Sequence, residues 1–403
     1  MRSLNVSVRY GGTVGSSTSE AFEAQQKCRT CKCLLSLAMD QQTFRNINQI
    51  LARDNKSSTY KFALLRGTID LIEDNSPFIV LKDNRAHFPL GLLIEKWLLY
   101  YYSLVNVPQI NRSTQLAFAE PLKAMVEAYE LRGGFSTFYN DLKNKGIPKE
   151  LQPLFLTLVS KVAATVTHMP MKYIGTSIYG QYYGIFQFER RKKQKTASID
   201  ADYLIRNFGI FSIPLEYYEA FQVLGSFVNG QDSILFQWAA FSVQASGKTL
   251  SMAHVLNEVL KNPVTERDIS ASKALYRAIL QQDGQVKCVW SGDTISRYDI
   301  DHIIPFTIWK NNDLWNLLPA RPDLNNQKRD KIPSPALIEN RRELITHYWD
   351  VIHKHTQLRF QKELQVALLG YDSADNWHGP AIAQLKNNCG HLINIRGFEA
   401  WNG

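Results

Sequence analysis

From Met39 to about residue 282, apolar residues recur every three or four positions, the period of helices that each bury one face. Phe62, Leu65, Ile69 and Ile72 follow Ser58-Thr59, which can cap a helix start, and Asn75-Ser76-Pro77 closes the run. Ile94, Trp97, Leu98 and Tyr101 share a second helical face, and Phe78-Ile79-Val80-Leu81 between the two reads as a short strand. This helix–strand–helix plan is common to winged-helix modules and to many that bind no DNA. Residues 113–180 continue as helical text broken by Gly133-Gly134, Pro148 and Pro153, and residues 200–282 read as helical again. The expected fold is mainly α with one embedded α+β module.

Residues 1–38 differ from the rest: Gly- and Ser-rich at first, then Cys28, Cys31 and Cys33 close together, with no sustained periodicity. They are expected to be an appended or poorly ordered leader, with Met39 as a candidate native start. With Cys288 and Cys389 the chain has five cysteines, an odd number in 403 residues, which argues for free thiols over a disulfide framework. Cys28, Cys31 and Cys33 look like half a metal site without a fourth ligand nearby. No run of eighteen apolar residues and no signal-peptide pattern occurs, so the expectation is a cytoplasmic chain with no membrane partner.

Lysine and arginine exceed aspartate and glutamate by nine, a balance that fits a polyanionic partner. The excess is locally dense at Arg190-Arg191-Lys192-Lys193-Gln194-Lys195, which follows the aromatic run Tyr182, Tyr183, Phe186 and Phe188. One reading is a solvated loop; the functional one is a phosphate-contacting arm that adds salt-dependent affinity without reading base sequence. Ser246-Gly247-Lys248-Thr249 lacks the upstream glycine of a phosphate-binding loop, so nucleotide binding there is set aside.

The chemistry-bearing text begins at Lys287-Cys288-Val289-Trp290-Ser291-Gly292-Asp293. It continues through Tyr298-Asp299-Ile300-Asp301-His302-Ile303-Ile304-Pro305, Leu314 to Pro319, and Asn325-Asn326-Gln327-Lys328. The first two pieces read as strands around a turn at Ser291-Gly292-Asp293, followed by a long loop, and the last as the start of a helix that Pro333 stops or kinks. His302 directly follows Asp301, and Asn316 and Asn325 lie 14 and then 9 positions further on. Asp301 and Asn325 offer hard oxygen donors of the kind that suit Mg²⁺ or Mn²⁺. His302, with an unperturbed pKa of about 6.5, is suited to take a proton from water at neutral pH. Neighbours on a regular strand point to opposite faces, so Asp301 and His302 can serve one phosphate only if the strand twists or ends there. Asn316 is expected to reach back and hold His302 or its backbone. Asp299 shares a strand face with Asp301, from which it could assist a metal, but reads first as solvent-facing; Asp323 reads as a helix cap, and Trp309, Trp315 and Trp349 as packing residues. His347, His353 and His355 read as surface or core residues of a helical stretch beginning near Pro335.

This stretch resembles the HNH endonuclease family, whose fold is the ββα-metal module. The resemblance rests on Asp-x-Asp-His-Ile-x-Pro, the central Asn316, and Asn325-x-x-Lys328 followed by Asp330 and Pro333, in the family's order and spacing. It implies metal positions at Asp301 and Asn325, a general base at His302, an orienting residue at Asn316, and Lys328 near the phosphate. The paired Cys-x-x-Cys units of many HNH modules are missing, since Cys288 stands alone, so no structural zinc is expected. The wider text is similar to bacterial HNH proteins of restriction or phage-defence settings. What the resemblance implies is a metal-dependent nuclease acting on DNA, with RNA also open as a partner. It either works alone or is licensed by other subunits of a defence system; a non-catalytic nucleic-acid-binding subunit is the remaining alternative. The expected organisation is a leader over 1–38, a helical DNA- or partner-binding body over 39–282, the nuclease over 283–335 and a helical C-terminal extension over 336–403.

Overall fold

The computed structural model describes residues 42–43, 45–50, 58–110, 115–228, 234–260, 267, 269–283, 285–309, 312–371 and 376–403. The leader expected over 1–38, with Cys28, Cys31 and Cys33, lies outside the described residues. The remainder is mainly α-helical with short strands, as the three-and-four spacing predicts.

Helix α1 (Tyr60–Glu73) buries Phe62, Leu65, Ile69 and Ile72 and also Ala63, Leu64 and Leu71, so it is covered on nearly every side. Ser58-Thr59 does not cap it. Thr59 makes no side-chain cap bond, and its hydroxyl instead lies 2.9 Å from that of Tyr101. Strand β1 (Val80–Lys82) starts two residues later than expected and turns into β2 (Arg85–Pro89) through Asp83-Asn84, whose φ values of 51° and 55° are those of a tight two-residue hairpin loop. Helix α2 (Leu90–Ser103) follows directly. Helix α3 (Gln152–His168) lies within a helical run, Lys149–Tyr179, that is long and apolar enough to cross a membrane by length and composition. Half of its most apolar window is buried inside the protein, where Phe155, Leu158, Val159, Val162 and Val166 join the core, as in the central helix of a folded domain.

Strands β3 (Gln187–Glu189) and β4 (Ile210–Pro214) complete an antiparallel sheet of order β1-β2-β4-β3. The pairing of β2 with β4 spans more than a hundred residues, which is why the local text suggests only one strand here. Helices α4 (Leu215–Val228) and α5 (Ile234–Ala245) pack on α1 and close a first core centred on Trp97, Tyr101 and Trp238.

A second core begins in α6 (Ser270–Asp283), whose Tyr276 and Ile279 are buried with the residues that follow rather than with the body before it. It runs through the chemistry-bearing segment into α7 (Arg342–Leu364), α8 (His378–Asn394) and Trp401, so residues 276–401 share one apolar interior. Polar contacts lace the two cores together. Arg396 pairs with Glu73 at 2.8 Å, Asn75 donates to Asn388 at 2.8 Å, and Lys362 donates to Ser198 at 2.7 Å. Between the cores lies a cavity of about 670 Å³, walled by Lys96, Tyr139 and Lys143 on one side and by Trp309, Asn312 and Leu314 on the other.

Candidate active site

Two short antiparallel pairs build the segment. Strands β5 (Val286–Lys287) and β6 (Thr294–Ile295) form a hairpin around Ser291-Gly292-Asp293, where Gly292 takes a φ of 83° that a side chain would strain. Strand β7 (Asp299–His302) pairs not with this hairpin but with β8 (Leu317–Ala320), with Asp301 opposite Leu318 and His302 opposite Leu317. Leu317, Leu318 and Pro319, expected in the long loop, lie in this strand. All four residues are buried, and a strand buried on both faces shows no alternation, while Pro319 mimics a breaker. The short helix Pro322–Lys328 then lies along β7. It ends at Arg329, with φ 49°, well before the Pro333 expected to stop it.

Asp301 is 4% exposed. Its Oδ2 accepts from the Trp290 indole at 2.6 Å and its Oδ1 from Lys328 Nζ at 3.1 Å. Lys328, fully buried, also donates to the His302 backbone carbonyl at 2.6 Å and stands 5.7 Å from the centre of the Trp290 ring. Burial pushes the Asp301 carboxyl up, opposed by the Lys328 charge and by the Trp290 and Lys328 hydrogen bonds.

His302 is 2% exposed, and its ring meets a different set of neighbours from those of Asp301. Phe306 lies 5.6 Å away, centre to centre, and Asn312 supplies a side-chain hydrogen bond. Nε2 is buried and, among the described residues, has no hydrogen-bond partner. Burial, reinforced by the Arg267 charge and opposed by the Asn312 bond, pushes the imidazole pKa down to about 4, so the ring is neutral at pH 7. Pairing continues through His302, and the chain bends only at Ile303-Ile304, so the strand does not end between Asp301 and His302.

Asn316 is completely buried and clamps the backbone just beyond His302. It accepts from Ile304 N–H at 2.8 Å and donates to Ile304 C=O at 3.0 Å, while its own carbonyl accepts from Ile303 N–H at 2.8 Å. Asn325 is brought to Asp299, with Nδ2 at 3.5 Å from Oδ2, and Lys328, one helical turn on, is brought to Asp301. Asp323 does not cap this helix; it pairs with Arg321 at 2.6 Å. Trp315 and Trp349 are fully buried, the Trp349 indole donating to the Trp315 carbonyl at 2.9 Å.

The oxygen donors on this face are Asp299, Asp301 and the Asn325 amide, which suit a hard divalent cation in kind. Among the described residues no group of three His, Cys, Asp or Glu side chains is gathered as a metal site, and the cation at Asp301 is the Lys328 ammonium. Two neighbours were not singled out from the sequence as parts of the site, Trp290 and Asn312; Asp299, read as solvent-facing, is exposed and lies beside Asn325. A buried tryptophan needs a partner for its N–H, the one signal that pointed to Trp290.

Residues 40–259, more than half of the chain, match the family model described as a domain of unknown function (DUF8808). The chain belongs to that family. Residues 288–334 match a second model, described as HNH endonuclease, and form an HNH domain. No curated protein and no solved structure matches the chain. The DUF8808 body therefore supplies the first core, and the HNH domain carries β6, β7, β8 and the helix Pro322–Lys328. A nuclease in general follows from the HNH match.

Proposed function

We propose that the HNH domain hydrolyses phosphodiester bonds of DNA, with His302 as general base and Asp301 and Asn325 as the residues that hold a divalent cation, Mg²⁺ or Mn²⁺. The observation that carries this reading is a neutral imidazole whose Nε2 has no partner among the described residues, fixed by Asn312 within a segment matched to HNH endonucleases. Its free nitrogen takes a proton from the attacking water. Asn316 acts as a positioning residue, holding Ile304 so that the backbone beyond His302 cannot drift. Lys328, wholly buried, holds Asp301 and the His302 carbonyl, and its charge would reach a phosphate once that pair opens. Asp301 and Asn325, with Asp299 beside them, would hold a divalent cation in place of the Lys328 ammonium, and that cation would supply charge stabilisation of the phosphate. HNH nucleases generally use divalent metals. DNA binding is shared with the exposed arm Arg190, Arg191, Lys192, Lys193 and Lys195.

Supercoiled plasmid incubated with protein and Mg²⁺ or Mn²⁺ tests the reading. The parent, alone or with the partner that licenses it, nicks or linearises it, chelator stops the reaction, and His302→Ala loses at least about a hundredfold in rate while still binding DNA. Cleavage by His302→Ala at the parent rate overturns it.

The burial of His302 favours a licensed nuclease over an always-active one. With the ring 2% exposed, substrate reaches Nε2 only after covering side chains such as Phe306 move aside, an opening that a partner subunit or a signal can supply. Such gating accords with the restriction or phage-defence setting that the resemblance implies. A chain that stays idle on plasmid alone and cuts when host-cell extract is added supports this form; full activity of the purified chain removes it.

A further inference from the structure

Four tyrosines between Tyr173 and Tyr183 are exposed: Tyr182 by 59%, Tyr173 and Tyr179 by 38%, and Tyr183 by 37%. Large aromatic surface left in water on one short stretch, with a cation among the rings, needs an explanation that core packing does not give. Tyr173 and Tyr182 meet edge to face at 5.1 Å, and Lys172 Nζ lies 5.3 Å and 5.0 Å from their respective ring centres. Among the described residues neither of these two hydroxyls makes a hydrogen bond. The other two tyrosines are tied down, Tyr179 by the Tyr217 hydroxyl at 2.6 Å and Tyr183 by the Thr167 carbonyl at 3.2 Å. Tyr183 N–H donates to the Lys172 carbonyl at 2.8 Å, closing the stretch into a fixed knuckle. Its rings are therefore presented by an ordered backbone.

This knuckle stands at the root of the basic arm. The short helix Pro170–Tyr173 packs against β3, and β3 leads directly into Arg190. The arm is itself anchored, through β3 at one end and through Gln194 N–H to Asn207 Oδ1 at 2.7 Å at the other. Arg190, Arg191, Lys192, Lys193 and Lys195 are all exposed and, among the described residues, none has an ion-pair partner. Glu189 is the one acidic residue in the stretch from Pro170 to Lys195. Exposed rings beside a strip of uncompensated cations are the two components of a site for a strand whose bases are not paired: the rings stack on base faces and the cations follow the phosphates.

We propose that the Tyr173–Tyr182 knuckle and the Arg190–Lys195 arm together bind single-stranded DNA, the rings taking unpaired bases. The proposal deepens the nuclease reading by naming an unpaired segment as part of its substrate. Duplex DNA hides its base faces in the stack and engages the arm alone.

Fluorescence anisotropy in chelator, with a labelled single-stranded 20-mer and the same sequence as duplex, tests this without any cleavage. Tyr173→Ala/Tyr182→Ala weakens single-strand binding by about five- to a hundredfold and leaves duplex binding within about twofold. Tyr173→Phe/Tyr182→Phe, which keeps both rings, retains parental affinity. Lys192→Gln/Lys193→Gln weakens both ligands and flattens the salt dependence of each. Parental single-strand affinity in the double-alanine variant, an equal loss for both ligands, or no single-strand binding by the parent overturns the proposal. Parental cleavage by His302→Ala with the single-strand preference intact overturns the nuclease reading alone, and His302-dependent cleavage without that preference overturns this proposal alone.

Discussion

Lys328 places its ammonium 3.1 Å from Asp301 Oδ1 with its own side chain wholly shut off from solvent and that of Asp301 6% exposed. Removing one member of such a pair leaves the other buried and uncompensated, which costs about 3–5 kcal/mol, whereas removing both costs far less. Lys328→Met is expected to lower unfolding stability by that amount, and Asp301→Asn/Lys328→Met to recover most of it. Urea unfolding of the three variants checks this; additive losses mean that the two groups do not sense one another.

Asn316→Ala deletes both side-chain bonds to Ile304 and leaves buried backbone groups unmet, at about 1–3 kcal/mol for each. The expected result is lower stability together with faster hydrogen exchange at the Ile304 amide. Unchanged exchange there means that the clamp does not hold the bend after β7.

The His302 pKa, pushed down to about 4, sets the acid limb of catalysis if His302 is the base. The neutral form, which accepts the proton, persists as pH falls until the ring titrates, so kcat/KM declines on the acid side near pH 4 and not near about 6.5. Asn312→Ala removes the bond that raises the pKa and moves the limb lower still. A limb near 6.5 in the parent shows an imidazole open to solvent before substrate arrives.

Glu363 sits beside Asp313 in the second core, accepting from Leu314 N–H at 2.7 Å and from Arg359 at 2.6 Å. Burial, with the Asp313 charge adding to it, pushes its carboxyl up to about 8 against the ordinary value near 4.5. Between those values the folded chain holds a proton that the unfolded chain has lost. Its contribution to stability is therefore complete below pH 4.5 and declines as pH rises toward 8, by up to about 1.4 kcal/mol per unit. Glu363→Gln should be flatter than the parent between pH 5 and 8 in denaturant titrations; parallel profiles mean that the carboxyl ionises freely in the folded state.

Much of this architecture is legible in the amino-acid text because it is local. The spacing of Phe62, Leu65, Ile69 and Ile72 specifies α1, and Asp301-His302 with Asn316, Asn325 and Lys328 marks the HNH segment before any coordinate is seen. What is not legible depends on distant partners. Strand β8 hides in Leu317-Leu318-Pro319-Ala320 because burial on both faces erases alternation, and β2 finds β4 across more than a hundred residues. The roles of Trp290 and Asn312 emerge only when the fold sets their polar atoms against Asp301 and His302. That Asn325 meets Asp299 while Lys328 meets Asp301 depends on the register of a seven-residue helix over β7, and spacing alone cannot choose between neighbouring registers.

The strand β9 (Ile332–Pro333) pairs with β10 (Ala400–Trp401), and the Trp401 ring stands edge-on to Trp290 at 5.1 Å. Trp290 is the residue that grips the Asp301 carboxylate. A tag inserted beside β10, or a change at Trp401, is thus no neutral edit: through two indoles it reaches a carboxylate a hundred positions upstream. Reagents for following this enzyme in cells are better attached elsewhere.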